Sequence, residues 1–523
     1  PGTESVLEIR VSNAQTMDIA PICGDFNMFG GLYRGVELLV TEDVCIEPAY
    51  YASSGVFFTQ SDVSEKKAHL KIEALLSARE TTVTGCEVEF QLYDKEKLLC
   101  RVASAEVGED KKVVMDMVLE RPHLWDGVKD PYLYKGVVIL RKDGKEIDRR
   151  EEEIGFRYFH ADAEKGFFLN GEHLKLKGVC RHQDRAERGN ALYKMHHDED
   201  AAIMVEMGAN AVRLAHYPQA TYFYDLMDKY GIVTWAEIPQ IGPGGYQDQG
   251  YINQPSFREN GKEQLKELIR QHYNHSSVIT WGYMNEILLT APSIGKPEWL
   301  ACKERTVNLA QRLEAVLKEE DPGRASVMAF NMTNLYNEIG LNLVDVVGWN
   351  LYHGWYVDKL KDFNAWCEDQ HRRYPDQPMI ISEWGAGSDK RLHSTQGRAF
   401  DFSIEYQQTY IEHYLPFIEN TEWISGCAYW NFIDFNVAAR QESMPRVNNK
   451  GLAYNNRIWK DVAYYFKAMW RKDIPVIRIA SRDWEMRTGE INKPQSIKIY
   501  SNTARFPTGT HAWYILSTPA VWP

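Results

Sequence analysis

The sequence predicts a multidomain protein built on a (β/α)8 barrel, preceded by an immunoglobulin-like β-sandwich. Three observations carry this. Short alternating runs at sandwich-like spacing fill the region before about residue 160. From about 168 the period changes, and eight strand candidates alternate with helical patterns. Two of those candidates, Val278–Glu286 (V-I-T-W-G-Y-M-N-E) and Pro378–Gly387 (P-M-I-I-S-E-W-G-A-G), are apolar runs that end on or just before a glutamate, Glu286 and Glu383. A lone strand-end glutamate is ordinarily the first solvated residue after a core strand. Two of one design need a common explanation, and a parallel barrel supplies it by gathering all its strand C-termini on one face.

At 523 residues the chain is too long for one ordinary core. We expect four regions: the remnant of a β-domain at 1–43, the sandwich at 44–162, the barrel at 163–470, and the start of a further β-domain at 471–523. The first region holds strand-like pieces at 6–12 and 33–40 around a turn at Met28–Gly31. In the second, G-V-F-F-T, A-H-L-K-I-E-A-L-L, E-V-E-F-Q-L-Y, K-V-V-M-D-M-V-L and L-Y-K-G-V-V-I-L read as strands, with turn residues such as Lys142-Asp143-Gly144 between them. Nothing in it resembles chemistry.

The barrel candidates are H-L-K-L-K-G-V, A-N-A-V-R-L-A-H, G-I-V-T-W-A-E-I, V-I-T-W-G-Y-M-N-E, A-S-V-M-A-F-N, V-D-V-V-G-W-N-L-Y, M-I-I-S-E-W and I-S-G-C-A-Y-W-N-F. One helix is readable in detail. Ser256 and Glu259 fit an S-x-x-E capping box, and Leu265, Leu268, Ile269 and His272 share one face after it. In the last region, R-K-D-I-P-V-I-R-I-A and S-I-K-I-Y-S read as strands.

A formal charge of −13 without clustered Lys and Arg disfavours nucleic acid as a partner, and no apolar run reaches the length of a membrane span. The eight cysteines are scattered, which suggests neither zinc nor a disulfide framework. The chain opens with P-G-T-E-S, with no charged segment leading into an apolar one. Bacterial periplasm and cytoplasm both stay open, as does a homo-oligomer. Fifteen Trp and 29 Tyr offer platforms for the apolar faces of sugar rings, although aromatic residues are core material first.

Two carboxylates at one barrel mouth, with no metal-ligand cluster and no phosphate loop, point to glycoside hydrolysis without a metal or cofactor. One carboxyl protonates the leaving oxygen while the other attacks the anomeric carbon or activates water. Asn285 is suited to bond a sugar hydroxyl beside Glu286. Arg213 and His216 end strand 2, Asn350 and Tyr352 end strand 6, and Trp430 belongs to strand 8, so polar and aromatic groups ring the same mouth.

These motifs resemble glycoside hydrolase family 2, the retaining β-galactosidase, β-glucuronidase and β-mannosidase group. G-G-L-Y-R-G-V at 30–36, the run 169–184 ending R-H-Q-D, N-A-V-R-L-A-H-Y-P at 210–218, W-G-Y-M-N-E and I-S-E-W-G-A carry the likeness. The resemblance implies that 1–43 is the remnant of a jelly-roll sugar-binding domain, and that Glu286 is the acid/base and Glu383 the nucleophile, with Arg213, His216, Asn285, Tyr352 and Trp430 shaping the sugar subsite. Glu237 is followed by I-P-Q-I-G-P-G-G, unlike the ligand-bearing segment of the metal-dependent β-galactosidases. N-N-K-G at 448–451 fits the N-x-K-G with which β-glucuronidases grip a uronic carboxylate, which nominates Lys450. The long segment from Trp430 to Leu452 resembles shorter bacterial enzymes read as β-galactosidases. The expectation from sequence is therefore a carbohydrate substrate with a terminal β-galactosyl residue. The alternatives are a β-glucuronidase and a non-catalytic carbohydrate-binding fragment.

Overall fold

The structure, a computed structural model, describes residues 4, 6–22, 24–241, 254–287, 297–331, 342–485 and 497–503, with the backbone strand at 514–516. Eight parallel strands close into a barrel in chain order: β1 (Leu176–Cys180), β2 (Ala211–Leu214), β3 (Val233–Glu237), β4 (Val278–Asn285), β5 (Ala325–Asn331), β6 (Val346–Asn350), β7 (Met379–Glu383) and β8 (Ile424–Tyr429). β8 pairs back onto β1, so no strand edge is left unpaired. Nearly every residue of these strands is buried, as parallel strands packed on both faces require.

Helices α1 (Lys194–Met207), α2 (Thr221–Tyr230), α3 (Pro255–His272), α4 (Pro297–Glu320), α5 (Asp362–Arg373), α6 (Ile404–Asn420) and α7 (Asp461–Trp470) form the outer ring. α1 and α2 each stop at a glycine in the left-handed conformation, Gly208 (φ 87°) and Gly231 (φ 72°), where a side chain would be strained. The start of α3 corrects the capping box expected at Ser256 and Glu259. Pro255 occupies the first turn, where its missing N–H costs nothing, and Gln254 is the cap residue without a side-chain bond. Ser256 already lies inside the helix and donates to Asp18, and Glu259 pairs with Lys262.

Before the barrel stand two four-stranded antiparallel sheets. In one, Lys67–Ala78 lies between Val56–Ser61 and Lys112–Glu120; in the other, Tyr134–Lys142 and Cys86–Asp94 are central. Strand 67–78 alternates inward Ala68, Leu70, Ile72, Ala74 and Leu76 with more exposed residues, the period of a sheet buried on one face. Of the edge strands Lys97–Ser104 and Lys145–Ile154, the second, K-E-I-D-R-R-E-E-E-I, is too charged to read as a strand from its sequence. Such charge is how an edge resists pairing with another chain.

Between sandwich and barrel, a three-stranded sheet of Phe159–Asp162, Gly166–Leu169 and Glu172–His173 caps the barrel's N-terminal end, with Phe167 and Leu169 in the core beneath it. Trp125 Nε1 donates to the carbonyl of Asp228, and Arg157 to those of Ser276 and Val278, fastening this end of the barrel.

The strands expected at 6–12 and 33–40 do not form. A strand is a ladder of hydrogen bonds to a neighbour, and these pieces have none; Val6, Leu38 and Val40 are left exposed. Residues 20–22 and 24–27 instead pack on the barrel mouth, burying Ala20 and Phe26. After α7, strands Ile477–Ile479, Ile497–Ser501 and Tyr514–Leu516 form an antiparallel sheet. Among the described residues, no helix is long and apolar enough to cross a membrane.

Candidate active site

Because the eight strands run parallel, the residues at or just beyond their C-terminal ends share one mouth. β2 brings Arg213 and, two residues past its end, His216; β3 ends on Glu237; β4 ends on Asn285, with Glu286 next. β6 ends on Asn350, followed by Tyr352; β7 ends on Glu383; β8 is followed by Trp430. Gly282 makes this mouth close-packed: a Cβ there would lie 2.5 Å from Trp235 Nε1 and 2.8 Å from Glu237 Cβ.

Arg213 is the hub. Only 1% exposed, it donates from Nε and Nη2 to the two oxygens of Glu237 (3.0 Å each), from Nη1 to Glu383 Oε1 (2.8 Å) and from Nη2 to Asn285 Oδ1 (2.8 Å). Its guanidinium sits 4.5 Å above the Trp235 ring. Burial alone would raise the Glu237 carboxyl; the charge of Arg213 and the hydrogen bond from His216 overcome this and hold it below the ordinary carboxylate range. With both oxygens engaged by Arg213 and His216, Glu237 is a fixed counter-charge.

Glu383 and Glu286 stand in different surroundings. Buried Glu383 accepts from Arg213 at Oε1 and from the Tyr352 hydroxyl at Oε2 (3.0 Å), while His216 Nε2 lies 3.6 Å from Oε1. Tyr352 is held far above the ordinary phenol range by burial and by the charge of Glu383, so it stays a donor. Glu286, in the left-handed region at φ 50°, turns at the strand end and, among the described residues, accepts one bond, from Asn350 Nδ2 (3.0 Å). That backbone conformation costs a non-glycine residue about 1–3 kcal/mol and is typical of functional positions. Loss of solvation, then the negative charge of Glu383, pushes the Glu286 carboxyl up to about 8. Asn350 also donates to Asn285 Oδ1 and is oriented by Ser382 Oγ, which links the two glutamates through one hydrogen-bonded chain.

The remaining residues nominated from sequence reach the same mouth. Trp430 stacks on His216, with ring centroids 4.9 Å apart. Lys450 is 1% exposed, and its Nζ has no hydrogen-bond partner among the described residues; the rings of Tyr356 and Trp355 lie 5.1 and 5.9 Å away. Its loop is clamped from below. Lys460 Nζ donates to Asp434 Oδ1 and to the carbonyl of Asn449 (2.8 Å each), and Asp434 Oδ1 accepts from Gly451 N (2.7 Å). Gly451 has to be glycine, since a Cβ would fall 2.3 Å from Asp434 N.

Sequence reasoning missed several neighbours. His182, within the R-H-Q-D motif, stacks on Phe435 at 4.1 Å and meets Trp430 edge-on, with Nε2 unpartnered. Burial, with His216 and Arg213 nearby, holds it far below the ordinary imidazole range. Asp25 reaches across from the N-terminal segment to Arg440 and to Asn448 Nδ2 (2.8 Å). Phe26 lies 5.4 Å from the ring of His182. The G-G-L-Y-R-G-V likeness just downstream was the signal that this segment could serve the pocket.

With this geometry in place the comparisons are decisive. The family description "Glycosyl hydrolases family 2, TIM barrel domain" matches residues 162–473, and "Glycosyl hydrolases family 2" matches 54–157. The chain belongs to glycosyl hydrolase family 2, a family of glycosidases. It is 42% identical over 496 residues to a β-glucuronidase of Bacteroides fragilis, covering 93% of this chain and 69% of that protein. A solved structure of Bacteroides uniformis β-glucuronidase 2, covalently bound to cyclophellitol-6-carboxylate aziridine, superimposes with a TM-score of 0.87 at 44% identity. The match covers 94% of this chain and 59% of that one. A β-galactosidase of Bacteroides ovatus is more distant, 26% identical, with 89% of this chain and 58% of that protein covered.

Proposed function

We propose that this family 2 chain carries the active site of a retaining β-glucuronidase. One observation carries the reading: Lys450, buried at the barrel mouth, has a side-chain nitrogen with no hydrogen-bond partner. A buried ammonium without a partner is costly, and a ligand that brings an anion relieves the cost. A glucuronide carries a carboxylate at C6 where a galactoside carries a hydroxymethyl group. The expectation of a galactoside therefore gives way, and the two more similar relatives, both β-glucuronidases, support the change.

In this reading Glu383 Oε attacks the anomeric carbon, forming the glycosyl–enzyme bond. Glu286, protonated because of its raised pKa, gives its proton to the leaving oxygen. Glu286, now ionised, then takes a proton from water as that water attacks the anomeric carbon. Glu383 leaves, and the product keeps the β-configuration. Arg213 and Tyr352 hold the nucleophile in place, and Asn285, Asn350, His216 and Trp430 shape the sugar subsite.

The test is a side-by-side assay of nitrophenyl β-glucuronide and β-galactoside with the protein and with Lys450→Met. A charge-assisted hydrogen bond is worth about 1.5–3 kcal/mol, so the variant should lose about 10- to 100-fold in kcat/KM on the glucuronide alone. Hydrolysis of the galactoside only would restore the earlier expectation. Equal losses on both substrates would remove Lys450 from the role.

A further inference from the structure

Three charged side chains lie buried beside one another at the barrel mouth: Lys450, Asp434 and Lys460. Burial raises the Asp434 carboxyl and lowers the Lys460 ammonium. The charge of Lys450 acts on both, against the first shift and with the second, so the three groups share one electrostatic neighbourhood. Their bonds are unevenly divided. Asp434 Oδ1 accepts from Lys460 Nζ (2.8 Å) and from Gly451 N (2.7 Å), and Lys460 Nζ gives a second bond to the carbonyl of Asn449 (2.8 Å). Lys450 sits between those two attachment points, with its Nζ 5.1 Å from the Tyr356 ring. Lys450 Nζ and Asp434 Oδ2 are each left without a hydrogen-bond partner among the described residues.

Holding a loop by one carbonyl and one N–H needs only a neutral donor and a neutral acceptor, so support of the backbone does not by itself call for charges. A buried ion pair is also a poor device for stability, because desolvating both ions offsets much of their attraction. The pair does have an electrostatic consequence. A buried carboxylate attracts a nearby ammonium strongly, since little solvent screens it, and here two ammoniums compete for one carboxylate. Lys460 has the bond, and Lys450 does not. The three charges sum to +1, which a single anionic group on a substrate would neutralise.

We infer that Lys460 is a positioning residue for the reaction: by occupying Asp434 it keeps Lys450 from pairing within the protein and leaves that ammonium to the C6 carboxylate of the substrate. The inference rests on the glucuronide reading of Lys450 and adds to it the residue that keeps this cation unpaired.

The experiment removes the charge of Lys460 and then the charge it occupies. In Lys460→Met, Asp434 is left with Lys450 as its remaining ammonium and draws it to the open Oδ2. On nitrophenyl β-glucuronide kcat/KM should fall about 10- to 100-fold, the loss expected for Lys450→Met, and mostly through KM. Adding Asp434→Asn removes the competing charge and keeps an acceptor for the Gly451 N–H, so the double variant should recover to within about fivefold of the unaltered protein. A residue that merely supports the loop predicts a double variant no better than the single one, and that result would overturn the inference. Crystal structures read the same event without substrate: Lys450 Nζ should lie within hydrogen-bond distance of Asp434 in Lys460→Met and return to the Tyr356 ring in the double variant. Lys450 unmoved in Lys460→Met would overturn the inference as well. An unaltered protein inactive on the glucuronide would sink the substrate reading, and the position of Lys450 in the variant structures would then decide this inference alone. If Lys460→Met does not fold, Asp434→Asn by itself serves. With no carboxylate to capture it, Lys450 should stay free and kcat/KM should hold within about threefold; a loss as large as that of Lys450→Met would overturn the inference.

Discussion

At the end of β7, Glu383 has both oxygens held, by Arg213 and by Tyr352, and an imidazole nearby. At the end of β4, three strands away, Glu286 receives a single amide bond and faces the charge of Glu383. The same side chain at equivalent places on one rim is thus gripped at both oxygens in one case and has its carboxyl raised to about 8 in the other. The difference comes from the partners that neighbouring strands supply. β2 spends Arg213 on Glu383 and Glu237, and β6 offers Glu286 only the neutral Asn350. Division of labour between two carboxyls is what a retaining mechanism requires.

The largest effect that would test this contrast is loss of Glu383, the proposed nucleophile. Glu383→Gln should cut kcat by about 10⁴- to 10⁶-fold on every substrate, the scale seen when a nucleophile acting as one unit with its partners is removed. A crystal structure should place the two carboxyl groups about 5–5.5 Å apart, and a well-ordered separation near 8 Å would instead make the enzyme inverting.

Glu286→Ala should behave differently. Loss of a general acid costs about 10²- to 10⁴-fold where the leaving group needs a proton, and far less with an activated phenolate. The protein itself should show an alkaline limb in kcat/KM near pH 8, because activity needs Glu286 protonated and its carboxyl titrates at about 8. That limb should vanish in the variant when an activated substrate is used. Equal losses on activated and unactivated substrates would refute the acid role.

Much of this contrast was legible in the chain. Both glutamates end apolar runs, and a buried parallel strand announces itself by composition, so all eight barrel strands could be read. What escaped depends on partners distant in sequence. Asp25 meets Asn448 across more than four hundred residues, and the Asp434–Lys460 pair holds the backbone on both sides of Lys450, at the Asn449 carbonyl and the Gly451 N–H. The pieces at 6–12 and 33–40 show the same dependence in reverse, since β-prone composition makes no strand without a neighbour to pair with. At Ser256 the error was local: Pro255 sets the helix start and overrides a cap motif one residue later.

A smaller effect is expected where one donor to Glu383 is removed. Tyr352→Phe deletes the hydroxyl on Oε2 and leaves Arg213 in place. A hydrogen bond to a charged group is worth about 1.5–3 kcal/mol, so kcat should fall about 10- to 100-fold. The alkaline limb set by Glu286 should remain. A loss as large as that of Glu383→Gln would mean that Tyr352 does more than orient the nucleophile.

The smallest change, and the sharpest for the comparison, is at Asn350. Its amide donates to Glu286 Oε1, which favours the ionised carboxylate and works against the upward push of burial and of Glu383. Removing it in Asn350→Ala should raise the Glu286 pKa further and move the alkaline limb to higher pH. Ser382→Ala tests the same chain one step back, since Ser382 Oγ donates to Asn350 Oδ1 and so fixes which way the amide faces. Freed to rotate, Asn350 should donate to Glu286 only part of the time, giving a displacement in the same direction but smaller. A downward shift of the alkaline limb in Asn350→Ala would show that the limb does not belong to Glu286 and would break the division between the two carboxyls.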